Sequence, residues 1–306
     1  MQRNEIRFYK TGLLAAALFC FIQTTAQQDT TDLLSLLGPE EPTTDYTTAT
    51  FKTTRIINMH SVENAAEGVL DFRINHRFGA FNTGVGNLFG LDAAFIRLGF
   101  EYGINDRLMV GFGRSNVNKE LDFFGKYKIL RQSTGKKNVP ISMSWFSSMV
   151  IRTDEFADPD RNNYFSSRLY YCHQLLIARK FNESLSFQLA PTVVHRNLVP
   201  DSTIANDVFA LGAGGRMKMT RRSSINMEYV YVMPDQLEDK YTNSFSIGID
   251  VETGGHVFQM HITNSYPMNE KGFITETTGK WSKGDIQFGW NISRVFTIKQ
   301  RKQPKE

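Results

Sequence analysis

Leu70-Asp71-Phe72-Arg73-Ile74-Asn75 alternates apolar and polar side chains one for one, and Ser244-Phe245-Ser246-Ile247-Gly248-Ile249-Asp250-Val251 repeats the pattern far downstream. Successive side chains of an extended chain point to opposite faces, so each stretch is a strand with one apolar and one polar face. The same alternation recurs over 68 to 77, 92 to 102, 106 to 115, 120 to 131, 139 to 151, 164 to 180, 183 to 196, 206 to 220, 222 to 233, 242 to 252, 255 to 264 and 284 to 298. These segments mostly run to about 10 residues or more, whereas strands of soluble sandwiches run nearer 5 or 6. A membrane barrel turns its apolar face to lipid and keeps a polar lumen. The pattern therefore predicts an all-β chain forming a closed antiparallel transmembrane β-barrel of twelve strands, over 68 to 298.

The start of the chain supports an exported protein. Arg3, Arg7 and Lys10 precede the apolar run Leu13 to Ile22, and Thr24-Thr25-Ala26 precedes Gln27. A basic start, an apolar stretch too short to span a bilayer and small residues at a cleavage point make residues 1–26 a secretory signal peptide. Cys20 lies inside the apolar run after Phe19, which is too large for a lipid-attachment site. Cys172 is then the one cysteine of the exported chain, so no intramolecular disulfide forms. Removing three bases and one acid with the signal turns the formal +4 into +2, a balance that argues against nucleic-acid binding. No later stretch approaches the ~20 apolar residues of a membrane helix, so only a closed barrel, with no unpaired edge, could place the chain in lipid. Residues 27–67 read as a polar, Thr-rich, partly extended periplasmic leader, and 299–306 as a basic periplasmic tail.

Connection lengths check the strand count, because outer-membrane barrels have short periplasmic turns and longer external loops. The connections 78 to 91, 152 to 163, 197 to 205, 234 to 241 and 265 to 283 are long; Gly103-Ile104-Asn105, Phe181-Asn182, Arg221 and Thr253-Gly254 are tight. Only 116 to 119 and 132 to 138 depart from the rule. Twelve strands with both termini in the periplasm satisfy the even count and the asymmetry together. Pairing of Phe273 to Thr277 as a loop hairpin would raise the count to fourteen. Phe51 to His60 also looks extended, but a lipid-facing strand there would reverse every loop, so it is expected at the barrel mouth or in the lumen.

In this register the lipid face includes Ile96, Leu98, Phe100 and Tyr102; Leu108, Val110 and Phe112; Ile141, Met143 and Trp145; Leu185, Phe187 and Leu189; Ile225, Met227, Tyr229 and Tyr231; and Ile286, Phe288, Trp290 and Ile292. Pro191 lacks the N–H that a closed sheet demands, which predicts a bulge. The lumen side receives Asp71, Glu101, Asp122, Glu228, Asp250 and Glu252 against Arg73, Arg97, Arg107, Lys126, Lys128, Arg216 and Lys218. Buried charges without partners are prohibitive, so these are expected to brace the lumen by pairing, leaving at most a narrow passage for small polar solutes. Gly111, Gly113, Gly212, Gly214 and Gly248 face the same way and leave room beside them.

His76-Arg77-Phe78-Gly79, Gly90-Leu91-Asp92, Ile96-Arg97-Leu98-Gly99, Tyr102-Gly103, Gly113-Arg114-Ser115, Asp207-Val208-Phe209-Ala210-Leu211-Gly212, Glu252-Thr253-Gly254-Gly255-His256-Val257-Phe258-Gln259 and Ile292-Ser293-Arg294-Val295-Phe296 resemble an uncharacterised outer-membrane β-barrel family of Bacteroidetes-type bacteria. The likeness runs from about Phe51 to Ile298. It implies a barrel and an outer-membrane address, and no activity, substrate or catalytic residue.

A rival class is a hydrolase at the lipid rim, which needs a nucleophile, a histidine base and an orienting group. His261, Asn264 and Ser265 near one external strand end, and His76 near another, are its only candidates, and His261 and Ser265 are too far apart along one strand for a direct bond. His173 cannot join Cys172 in a metal site, since neighbouring strand residues face opposite ways. Asp154, Glu155, Asp158 and Asp160 lack the Gly and distal Glu of a calcium loop. The expectation is a non-enzymatic outer-membrane barrel in contact with lipid, without cofactor, metal or nucleic acid, that is either structural or a passage for a small polar solute.

Overall fold

A computed structural model describes residues 43–156, 158–200 and 203–299. The expected signal peptide 1–26, residues 27–42 of the leader and residues 300–306 of the tail lie outside them. The strands are β1 Thr44–Tyr46, β2 Val69–Ala80, β3 Ala94–Gly103, β4 Leu108–Ser115, β5 Glu120–Leu130, β6 Ser133–Gly135, β7 Ser142–Arg152, β8 Leu169–Lys180, β9 Leu185–Arg196, β10 Asp207–Lys218, β11 Ser223–Val232, β12 Ser244–Thr253, β13 His256–Thr263 and β14 Gln287–Thr297; helix α1 is Glu270–Thr275. The twelve long strands close into one barrel in which each pairs with its chain neighbour. β14 returns antiparallel to β2 (Ile292 opposite Ile74, Asn291 opposite Asn75), so the sheet has no free edge. β1 and β6 make a separate two-stranded sheet.

Each expected segment becomes one barrel strand. Both ends of the barrel segment lie at the end that carries the tight turns 104–107, 181–184, 219–222 and 254–255. The opposite end carries 81–93, 153–168, 197–206, 233–243 and 264–286.

The fourteen-strand alternative is not realised, and one expectation fails. The 265–283 connection adds no hairpin: a closed sheet offers no edge, and the segment instead coils into α1, which satisfies its own backbone and takes an N-cap from Asn269 Oδ1 to the Gly272 N–H at 2.8 Å. Pro191 makes no bulge. The β9–β10 register runs through Leu211 opposite Pro191, and the β8–β9 pairs stop at Gln174–Thr192 and resume in the same register at Ile177–Leu189. The missing donor costs ladder bonds on one side only, without an inserted residue.

The distribution of polarity is inverted relative to a water-soluble protein. Leu98, Phe112, Trp145, Leu211 and Tyr229 are exposed on the outer wall, while Arg73, Arg97, Glu101, Asp122 and Lys126 are buried. Along the outer wall Phe72, Phe100, Phe112 and Phe123 form a row across β2, β3, β4 and β5 with centroid spacings of 5.0, 5.1 and 6.4 Å. Cross-strand aromatic contacts of this kind lock the register of neighbouring strands.

Candidate functional site

The chain between β1 and β2 enters the lumen and fills it. Phe51, Ile56, Ile57, Met59 and Val62 are buried there together with Arg55, Asn58 and His60. The segment is a tight hairpin: the Ile56 N–H donates to Met59 O (2.8 Å), the Ser61 N–H to Thr54 O (2.9 Å), and Arg55 lies opposite His60. Wall glycines make its space. A Cβ on Gly214 would sit 2.4 Å from Ile56 Cδ1, and one on Gly212 would sit 2.8 Å from Met59 Sδ.

Polar wall residues satisfy the hairpin backbone, as buried amides require. The Glu228 carboxylate on β11 accepts the consecutive N–H groups of Ile57, Asn58 and Met59 at 3.1, 2.9 and 3.0 Å. Lys126 on β5 donates to the carbonyls of Thr54 (3.2 Å), Ser61 (2.8 Å) and Glu63. Gln188 on β9 accepts from the Val62 N–H (2.9 Å) and donates to His60 O (2.7 Å). Gln259 reaches Ile56 O (2.6 Å), Asn291 reaches Ile57 O (3.3 Å) and Arg216 reaches Ala49 O (3.0 Å).

Side chains add charge contacts. Arg55 spans Glu101 on β3 (3.4 Å) and Glu270 on α1 (2.8 Å), and Arg77 donates to Asn58 Oδ1 at 2.6 Å. The His60 ring lies between Phe124 and Phe146, with centroids 4.6 and 4.3 Å away. Neither of its nitrogens has a hydrogen-bond partner, and Nε2 is 3.5 Å from Glu270 Oε1. Burial, then the positive charges of Arg55, Lys126, Arg97 and Arg73, hold this imidazole well below its ordinary pKa.

Helix α1 closes the lumen from the other end, with all its residues buried. Lys271 donates to Glu120 at 2.8 Å and pairs with Glu276; Asn269 donates to Glu120 at 2.6 Å. The hairpin and the helix meet at Arg55–Glu270. A cavity of about 440 Å³ bounded by Lys52, Glu63, Asp71, Glu252 and His256 opens at the end bearing the tight turns. Another of about 450 Å³, bounded by Arg152, Asp158, Arg196, Glu238, Tyr241 and Glu276, opens at the opposite end.

Of the expected lumen charges, Asp71, Arg73, Arg97, Glu101, Asp122, Lys126, Arg216, Glu228 and Asp250 are buried inside. Pairing between wall charges holds for Arg97–Asp122 (2.8 Å) and Arg73–Asp71 (3.4 Å). Asp250 instead accepts from Gln259 (2.6 Å), and Lys126 and Glu228 are used on hairpin amides. Lys128, Lys218 and Glu252 sit at the mouth and are only partly buried; Lys128 lies 3.9 Å from Glu63, and Glu252 pairs with Lys52. Arg107 is not in the lumen: it lies exposed in the 104–107 turn, where β3 has already ended and the alternation no longer assigns a face.

Parity alone should have added Arg77 and Glu120, which continue the inward series of β2 and β5. Arg55, His60, Glu270 and Lys271 lie outside any alternating segment. Gln188, Gln259 and Asn291 carry no charge to single them out.

The hydrolase candidates do not assemble. His261 is buried inside the lumen with neither ring nitrogen hydrogen-bonded, and Ser265 Oγ accepts from Thr277 Oγ1 at 2.9 Å. His76 faces outward against Trp290, 5.6 Å between centroids. Cys172 is fully buried, and His173 on the opposite face bonds Ser147 at 2.7 Å. Asp154 is held by Arg152 at 2.8 Å, and among the described residues no His, Cys, Asp and Glu group is placed to hold a metal.

A family profile described as "Membrane bound beta barrel domain" matches residues 51–296, so it includes the hairpin. A comparison with curated protein sequences gives no match. Among solved structures, the chain is similar to the NanC porin (TM-score 0.48, 9% identity, 74% of this chain and 98% of that one) and the KdgM porin (TM-score 0.46, 11% identity, 74% and 99%). It is also similar to an outer membrane channel from Pseudomonas putida F1 (TM-score 0.46, 12% identity, 76% and 97%).

Proposed function

This chain belongs to the membrane-bound β-barrel domain family, and from that premise we propose that it is an outer-membrane conduit for small polar solutes held shut by its own hairpin and helix α1. The observation that carries this reading is the nature of the obstruction. The lumen wall is polar and has a cavity at each end, and what separates the cavities is chain that belongs to no barrel strand. The hairpin backbone is held by side-chain hydrogen bonds, which water can replace at a net cost of about 0.5 to 3 kcal/mol each. A barrel wall cannot open without breaking its ladder; a bound segment can leave.

The tight-turn end then faces the periplasm, with the termini, and the long connections face outward. Export follows from a signal peptide over 1–26, and the motifs around Arg77, Arg97 and Asp207 support a place among Bacteroidetes-type relatives.

Conductance of the purified full-length protein in planar bilayers tests the proposal. Wild type should show long closures with rare brief steps, and Glu228→Gln should show more frequent steps of the same size. Silence from both, in preparations whose heat-modifiable gel mobility shows a folded barrel, would reduce the protein to a structural element of the envelope.

A further inference from the structure

The wall groups that grip the hairpin are addressed to main-chain atoms. Glu228 serves three consecutive N–H groups and Lys126 serves three carbonyls. Gln188 takes the N–H of Val62 and the carbonyl of His60, a two-point match to one face of an extended chain. Gln259, Asn291 and Arg216 reach further carbonyls. None of these bonds depends on which side chain the hairpin carries. The spaces over Gly212 and Gly214 take aliphatic groups by size alone, and the Glu101–Glu270 pair takes a cation.

Resting on the conduit reading, we infer that the solute class of this lumen is the oligopeptide, and that the hairpin is a tethered occupant of a peptide site. A carbohydrate would leave this array of amide-spaced donors and acceptors mismatched. A phosphate would meet wall arginines already paired, Arg97 with Asp122 and Arg73 with Asp71, and the Glu228 carboxylate would repel it. The strongest preference should be for short peptides with a basic residue beside an aliphatic one, as in Arg55-Ile56.

The test keeps the full chain. A protease recognition sequence is inserted after the exposed Ala66, the protein is folded, and the loop is cut so that the hairpin becomes an exchangeable peptide. Fluorescent peptide 49–66 is then offered, alongside an altered version with Arg55, Asn58 and His60 as Ala and Ile56 and Met59 as Leu, with a malto-oligosaccharide of similar mass as competitor. Both peptides should exchange in, the altered one within about a hundredfold of the native, and the sugar should not compete. Glu228→Gln should weaken both peptides tenfold or more. Exchange of the native peptide alone, competition by the sugar, or no exchange in either wild-type or Glu228→Gln protein would overturn the peptide assignment. Bilayer recordings separate the two levels: conduction without binding of the altered peptide leaves the conduit and removes the peptide class, while peptide binding without conduction in any variant removes both.

Discussion

Replacing Glu228 by Gln perturbs the hairpin at its turn and leaves the barrel ladder untouched. In the native protein Oε2 accepts from Ile57 and Met59 and Oε1 from Asn58. A carboxamide has one oxygen. It can keep two of these donors at most, and its NH2 must then face the third N–H, donor against donor. One charge-assisted bond is lost, worth about 1.5 to 3 kcal/mol, and the two that remain become neutral and roughly half as strong. Relief of the cost of burying an anion offsets part of this, so hairpin seating should weaken by about 2 to 3 kcal/mol. At 1.4 kcal/mol per decade that raises the released population roughly 30- to 150-fold. Ser61→Cys in a Cys172→Ala background reads it directly, because Ser61 is fully buried in the seat. The rate of thiol labelling at position 61 should rise by that factor on adding Glu228→Gln, with heat-modifiable mobility unchanged. Equal labelling rates would refute the claim that the Glu228 bonds hold the hairpin in place.

Other consequences can be checked on the same protein. Leu211 faces lipid near mid-strand, so Leu211→Arg should destabilise the barrel by about 2 to 4 kcal/mol if it lies near the bilayer midplane, while Lys218→Gln at the mouth should assemble normally; the reverse pattern in gel mobility would mean the faces are inverted. An epitope tag after Asp160 should be reached by antibody on intact cells, and detection only after permeabilisation would reverse the orientation. Because the seated His60 has a lowered pKa, its contribution to seating is complete above the ordinary value near 6.5 and is lost as pH falls below it, when the released imidazole takes up a proton. Thiol labelling at position 61, divided at each pH by the rate of the same reagent on the denatured protein, should therefore speed up as pH falls from 7 to 5, and His60→Phe should flatten that dependence; a pH-independent ratio in the Ser61→Cys, Cys172→Ala protein that keeps His60 would contradict the assignment.

The barrel was legible because lipid on one side and a polar lumen on the other impose a period of two on every strand, and Leu70 to Asn75 or Phe245 to Val251 record it residue by residue. Closure was legible through connection lengths. Phe51 to His60 was legible as a segment for the barrel mouth or the lumen, but its contacts there were not. Phe51 to Ala65 is read by a curved polar surface from several directions, so Ile56 and Met59 can be apolar, Arg55 charged and Asn58 polar with no period at all. For the same reason the sequence of α1 reads as external loop: Glu270 and Lys271 look like solvated residues until Arg55 and Glu120 are seen beside them. Arg107 failed at the one place where a charge stands beyond the last paired residue, and alternation has no meaning in a turn.

The residues that hold the hairpin come from β3, β5, β9, β11, β13 and β14, nearly the full circumference. In chain order, no sheet shorter than β3 to β14 contains them all. A flat or half-curled intermediate presents Glu228 or Lys126 with its partners missing, and these contacts become simultaneous only when β14 meets β2. The complete set of hairpin bonds is thus a signature of the closed barrel, and seating of the hairpin should be coupled to pairing of β14 with β2.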